Sequence, residues 1–287
     1  MKGDNLNRGL PVEQMERLIR FRASHPCKHV NVGSTHWEYI VGGGGTRTLL
    51  LLPGGLRIAE HAFGYIELFE GTYRVITPTY PPLNGIDEIT DGIVAILDAE
   101  NARSAFVLGQ SAGGVVAQAL VGRSPSRVEK LILSSTSPLK ISRGKAAILW
   151  IFNTVIPLLP NGTAANLYKK MIGQVLNVPK DQSAFWETYL GELFSTRLAK
   201  ADVISHFRLG RDAIRKYGYD KPGGRAWPGE VLILGGEEDP VSTESDRKTM
   251  AAFYPHSKVH VIQEAGHTPA ISEPEKYAEA VNHFLMG

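Results

Sequence analysis

The chain has 287 residues, 43% of them hydrophobic and 21% charged, with 31 Lys and Arg against 29 Asp and Glu. That composition belongs to a folded protein with one large core, and a formal net charge of +2 gives no basis for binding nucleic acid or an acidic partner. The single cysteine, Cys27, excludes an intrachain disulfide, and Met1–Leu10 has no apolar core to serve as a secretory signal, so the expected location is cytoplasmic.

In chain order, Pro11–Ala23 has the spacing of a short amphipathic helix, and Lys28–Val32 and His36–Val41 read as strands. The run Gly42–Gly45 leads into a third strand, Thr48–Leu52; a phosphate loop leads into a helix, so a flexible hairpin turn is expected here instead. Strand-like runs at Tyr73–Thr77, Ser104–Leu108 and Val128–Leu133 then alternate with helix-like segments at Ile58–Glu70, Ile86–Glu100 and Ala112–Arg123. Short apolar strands separated by amphipathic helices imply a mostly parallel sheet covered on both faces. From Pro138 to Trp227 only helix-like segments occur, before strands at Val231–Leu234 and Lys258–Ile262 and helices at Thr243–Phe253 and at the end of the chain. The expected organisation is a core of residues 1–137 and 228–287, with a helical insertion over 138–227 after the sixth strand.

The longest apolar stretch, Ala146–Pro160, is too short to span a bilayer and is interrupted by Asn153 and Pro157, so no stable membrane insertion is expected. Being apolar nearly all round its helical projection, it must be buried, line a cavity or lie against lipid; burial is the expectation.

Residues 107–114 read V-L-G-Q-S-A-G-G. Glycine at both second neighbours of Ser111 suits a strand-turn-helix corner too tight for side chains at Gly109 and Gly113, the nucleophile-elbow pattern. The five residues alone are weak evidence; their position between an apolar strand and a helix strengthens them. A serine hydroxyl is a poor nucleophile at neutral pH, so it needs a histidine to remove its proton and a carboxylate to orient that histidine. His267, in A-G-H-T-P-A after the last strand, is the candidate base, whereas His260, His283 and His256 occupy ordinary strand, helix and turn positions. Asp239, in G-E-E-D-P-V after a sheet strand, is the candidate acid in preference to Glu237 and Glu238, its structural alternative being a turn-former before Pro240. His61 follows the Leu52 loop and is read as helix packing. The developing oxyanion needs preorganised donors: Ala112 N–H is one, and either Gly55 or Leu56, in P-G-G-L, is the other.

These features together resemble the α/β-hydrolase superfamily from about Lys28 to Met286, through the P-G-G loop, Y-R-V-I-T-P, G-Q-S-A-G-G, L-I-L-S-S, G-E-E-D-P-V and A-G-H-T-P-A-I-S-E-P-E; Leu51–Gln118 is also similar to maspardin-type proteins. The resemblance implies an eight-stranded α/β-hydrolase fold and makes the helical insertion a cap over the active site. Many members carry His-Gly where this chain has Pro53-Gly54, which leaves the second oxyanion donor open. Epoxide and halide chemistry in this superfamily uses an aspartate nucleophile, which Ser111 is not.

The leading expectation is a serine hydrolase acting on a carboxylic ester, thioester or lactone. A carbon-carbon bond hydrolase with the same triad and a binding or scaffold protein on the same fold are the alternatives. Neither cofactor nor metal is implied, since no close-spaced His/Asp/Glu set such as H-E-x-x-H appears. The expected partner is a small-molecule apolar substrate of small to medium size, with Gln110, Trp150, Phe152 and Trp186 as candidate contacts; the aromatic residues would otherwise pack the insertion onto itself.

Overall fold

The computed structural model describes residues 10–224 and 226–287. Residues 1–9, on which the expectation about a secretory signal rests, lie outside them. Among the described residues eight strands form one sheet: β1 (Lys28–Val32), β2 (Thr35–Gly42), β3 (Thr48–Leu52), β4 (Arg74–Thr79), β5 (Ala105–Gln110), β6 (Val128–Ser134), β7 (Val231–Gly236) and β8 (Ser257–Ile262). Their spatial order is β1-β2-β4-β3-β5-β6-β7-β8, antiparallel at β1/β2 and β2/β4 and parallel elsewhere.

The helices are α1 (Leu10–Ser24), α2 (Phe63–Phe69), α3 (Ile86–Ala99), α4 (Ala112–Arg123), α5 (Arg143–Val155), α6 (Asn161–Val175), α7 (Ser183–Thr196), α8 (Lys200–Tyr217), α9 (Glu244–Phe253), α10 (Pro269–Ser272) and α11 (Pro274–Met286). The continuous apolar character of the central strands follows from cover on both faces. Leu49 and Leu51 of β3 pack with Phe106 and Leu108 of β5 under α1, α2 and α11, whereas Leu50 and Leu52 pack with Val107 under α3 and α4. The described chain between β6 and β7 runs through α5–α8 without a strand.

The glycine run does not make the expected hairpin. β2 and β3 are not neighbours, because β4 lies between them, and the run instead crosses the chain entering β4. Gly43 has φ +72°, and a Cβ there would strike the backbone of Glu70 and Tyr73. The glycines therefore serve a close crossing, not flexibility.

β3 also marks the point where the strand order reverses, with β4 on one side and β5 on the other. In open α/β sheets the crevice at the carboxyl ends of such strands collects ligands. Leu52 is in register with Gly109, so the loop after β3 and the turn after β5 leave the sheet side by side.

Gly43→Ala should cost about 2 kcal/mol or more, from strain at positive φ plus the backbone collision. Equilibrium urea denaturation measures this, and an unchanged midpoint would contradict the close crossing.

Candidate functional site

Ser111 sits between β5 and α4 at φ 52° and ψ −118°, outside the regions most non-glycine residues adopt. The turn survives because its neighbours hold it: Ser111 N–H donates to the Ser134 carbonyl at 2.8 Å, and the Ser111 carbonyl accepts from Thr136 Oγ1 at 2.6 Å and Gly114 N–H at 2.9 Å. A Cβ on Gly109 would meet the Gly113 carbonyl, and one on Gly113 the Leu52 carbonyl. Both glycines are thus required by contact with backbone, as their spacing around the serine suggests.

His267 lies in the loop between β8 and α10, buried to 3% exposure. Its Nε2 is 2.8 Å from Ser111 Oγ and its Nδ1 is 2.9 and 3.1 Å from the two oxygens of Asp239. A carboxylate can only accept, so Nδ1 carries the proton and Nε2 is left to accept from the serine hydroxyl. Asp239, in the turn after β7, also accepts from the Val241 and Ser242 N–H groups at 2.8 and 3.0 Å. Burial opposes charge on this carboxylate, but the bonds from His267, Ser242 and Val241 and the imidazole's field outweigh it and hold Asp239 below its ordinary value. Ser111, His267 and Asp239 form one hydrogen-bonded line from three loops.

On the other side of the serine, Arg57 N–H donates to the Gly54 carbonyl at 3.0 Å, which makes Gly54–Arg57 a tight turn. Gly55 and Leu56 are its two central residues, whose N–H groups such a turn does not use. Ala112, at the first position of α4, has an N–H with no intrahelical partner. The Leu56 side chain is buried in the core, and the Gly55 carbonyl accepts from Tyr168 Oη of α6 at 2.8 Å. Gln110 is half-buried; its Nε2 reaches the His267 carbonyl at 3.5 Å and its Oε1 lies against Gly54.

Several residues at this site carry no sequence signal. Arg57, 2% exposed and at φ 63°, donates through Nη2 to the Pro81 carbonyl at 2.8 Å and to Ser205 Oγ of α8 at 3.0 Å, tying the turn to the inserted helices. Arg57, Tyr80, Ala112, Val116, His206 and Leu209 line a cavity of about 30 Å³. Asn177 exchanges hydrogen bonds of 3.0 Å with Thr268, the residue after His267. The motif-bearing residues lie at strand ends, whereas these contacts come from the insertion's tertiary packing.

The aromatic contact candidates lie elsewhere. Trp150 is 61% exposed on α5, against the expectation of burial for that segment, because only one side of α5 packs on α8. Phe152 is on the packed side and stacks on Phe207 at 4.8 Å. Trp186 is buried among His61, Phe63, Phe185 and Tyr189 and borders a groove of about 600 Å³ between α6 and α7. None of the three lines the cavity beside Ala112. The structure also assembles a His/Glu set that linear spacing conceals: on the β1–β2 hairpin, potential ligand atoms of His29, His36 and Glu38 lie within 4.8 Å of one another. Glu38 pairs with Arg197 there, and His36 bonds His29 and Asn31. The hairpin is at the sheet edge, with β4 and β3 between it and the serine-bearing strand.

A sequence profile of the alpha/beta hydrolase family matches residues 49–280. The chain is 24% identical over 232 residues to a 2-hydroxymuconate semialdehyde hydrolase of Pseudomonas putida, covering 75% of this chain and 77% of that one. It is 26% identical over 258 residues to a pimeloyl-[acyl-carrier protein] methyl ester esterase of Cronobacter sakazakii, covering 85% and 95%. Among solved structures, a hydrolase from Pseudomonas aeruginosa superposes with a TM-score of 0.75 at 18% identity, covering 91% of this chain and 99% of that one. The enol-lactonase of Burkholderia xenovorans gives a TM-score of 0.71 at 16% identity, covering 91% and 100%.

Two histidines near these elements are neutral for a shared reason. Burial pushes His61 down to about 4, and burial aided by the Arg57 guanidinium pushes His206 down to about 3. The unfolded chain protonates His61 near its ordinary 6.5 while the folded chain resists until about 4, so the unfolded state binds more protons in that window and stability falls as pH drops. For His61 the loss between pH 7 and pH 5 is about 2 kcal/mol. Denaturant unfolding at the two pH values should show it, and His61→Phe should shrink the difference by about that amount; an unchanged difference would contradict the buried neutral imidazole.

Proposed function

Because the chain belongs to the alpha/beta hydrolase family, we propose that it is a serine hydrolase cleaving a carboxylic ester, thioester or lactone through an acyl-enzyme. The observation that carries this reading is the line Ser111 Oγ, His267 Nε2 at 2.8 Å, His267 Nδ1 to Asp239 at 2.9 Å, starting from a serine at positive φ. Ser111 Oγ attacks the substrate carbonyl as its proton passes to His267 Nε2. Asp239, charged, steadies the imidazolium and fixes the tautomer that can accept. The oxyanion that forms takes hydrogen bonds from the Ala112 N–H and from Gly55 or Leu56. When the tetrahedral intermediate collapses, the proton leaves with the alcohol or thiol. Water then gives a proton to His267 and attacks the acyl group; as the second tetrahedral intermediate collapses, His267 passes that proton to Ser111 Oγ, which releases the acid and restores the serine.

In the same reading residues 138–227 act as a cap over the serine. Support comes from the contacts of Tyr168 with Gly55, Ser205 with Arg57, and Asn177 with Thr268, which fasten the inserted helices around the site. The substrate's reacting portion is small to medium and apolar, set by Val115, Val116 and Leu209 beside Ala112 and not by Trp150, Phe152 or Trp186. The similarity to a 2-hydroxymuconate semialdehyde hydrolase favours carbon-carbon bond hydrolysis as the second reading.

Ser111→Ala and His267→Ala should each lower kcat by roughly 10⁴-fold to 10⁶-fold with the fold intact, and Asp239→Asn should fall in the same direction. Near-normal ester hydrolysis by purified Ser111→Ala would overturn the assignment. Since the cavity that Val115, Val116 and Leu209 close beside Ala112 is small, kcat/KM for p-nitrophenyl acetate and butyrate should exceed that for octanoate by about tenfold or more. A series rising with length would show that another surface binds the chain, and turnover of a vinylogous diketone without ester turnover would favour the second reading. Activity should also fall on acidification, because the serine proton can pass only to an unprotonated Nε2. A profile flat through the acid range would contradict His267 as the base.

A further inference from the structure

The apolar segment that the sequence expects inside the protein lies largely outside it. Along α5 and the turn after it, Ile148 is 55% exposed, Trp150 61%, Ile151 48%, Val155 41% and Leu158 80%. At 100° per residue, Ile148, Ile151, Val155 and Leu158 share one face, with Trp150 on its flank. The adjoining side, through Leu149 and Phe152, packs against Val203 and Phe207 of α8. No charged residue interrupts Ala146–Pro160, and Thr154 is the one polar side chain on the outward face, so that face is an apolar strip of a kind that protein surfaces seldom present without a partner.

The charge of the chain segment that carries the strip points to that partner. Between Lys140 and Lys180 the chain carries six basic residues, Lys140, Arg143, Lys145, Lys169, Lys170 and Lys180, and no Asp or Glu. The rest of the chain has more acidic residues than basic ones. Lys145 is neutralised by Asp246, whereas Lys140, Arg143, Lys170 and Lys180 are exposed. A second copy of the chain docking through this strip about a two-fold axis would set one positive segment against another, which like-charge repulsion disfavours. An anionic lipid surface meets both requirements: headgroups for the lysines and arginine, and an acyl boundary for the isoleucines, leucine and the tryptophan.

We propose that α5 and the turn after it dock the protein peripherally on anionic lipid surfaces, with Ile148, Trp150, Ile151, Val155 and Leu158 entering the headgroup boundary. This requires no membrane-crossing element, and no described helix is long and apolar enough to cross. Docking rests on the strip and its charge alone and stands apart from the hydrolytic reading, so either can fail without the other.

The test is co-sedimentation of the full chain with vesicles of phosphatidylcholine alone and of phosphatidylcholine with phosphatidylglycerol at seven to three, with sedimentation velocity of the free protein alongside. The partition coefficient should be at least ~10-fold higher on the anionic vesicles and fall steeply with salt. The triple variant Ile151→Ser/Val155→Ser/Leu158→Ser should lose ~10-fold or more of it, as should Lys140→Glu/Arg143→Glu/Lys170→Glu. All five apolar and charged positions tested besides Leu158 are on helices or their approach, so circular dichroism and melting temperature verify that each variant is folded; should the apolar triple fail to fold, the charge variant and the comparison of vesicle types decide alone. Binding to neither vesicle, equal binding to both, or a dimer that the apolar triple dissociates would overturn the proposal.

Discussion

The site depends on how closely the backbone after β5 is allowed to approach the backbone after β3. Ser111 can adopt a positive φ only because Gly109 and Gly113 offer no side chains to the facing carbonyls and because Thr136 and Ser134 hold the turn from the neighbouring strand. Strand order makes the approach useful. β3 and β5 are neighbours at the reversal of the sheet, so the turn that exposes the serine lies beside the Gly54–Arg57 turn with its unused N–H groups. One backbone constraint thereby sets both the hydroxyl and the dipoles around it.

The second requirement is a charge held where water would ordinarily hold it. Asp239 is buried, and desolvation alone would favour its neutral form; three donors reverse that and keep an acceptor facing His267. The histidine therefore has a defined tautomer before any substrate arrives. The inserted helices add a further layer by contacting the residues around the line, through Asn177 at Thr268 and Tyr168 at Gly55.

Much of this was legible in the sequence because strand ends are locally encoded. The eight strands, the alternating helices and the serine, histidine and aspartate positions follow from apolar runs that stop at glycine, proline or a polar residue, and Ser111, Asp239 and His267 do meet. The topology of the first strands was not legible: Gly42–Gly45 looks like a hairpin because nothing local reveals that β4, some thirty residues later, will insert between β2 and β3. Arg57 and His206 carry no sequence signal for the same reason, since burial beside a partner from a distant element leaves no periodic trace. The hydrophobicity of α5 is legible in the sequence, and its placement is not. Composition shows that a segment avoids water, but which surface it meets depends on neighbours, and α8 covers only one side of it.

The account stands on Ser111 being activated by His267 and not merely adjacent to it. A fluorophosphonate probe reacts with an activated serine and leaves an inert one untouched, whatever the natural substrate, so peptide mapping of the labelled protein tests the claim without knowledge of that substrate. The account predicts one label per chain on Ser111, absent in Ser111→Ala and slowed by roughly 10²-fold or more in His267→Ala. An unlabelled protein, or a label on another residue, would contradict it and leave the fold serving as a binding scaffold.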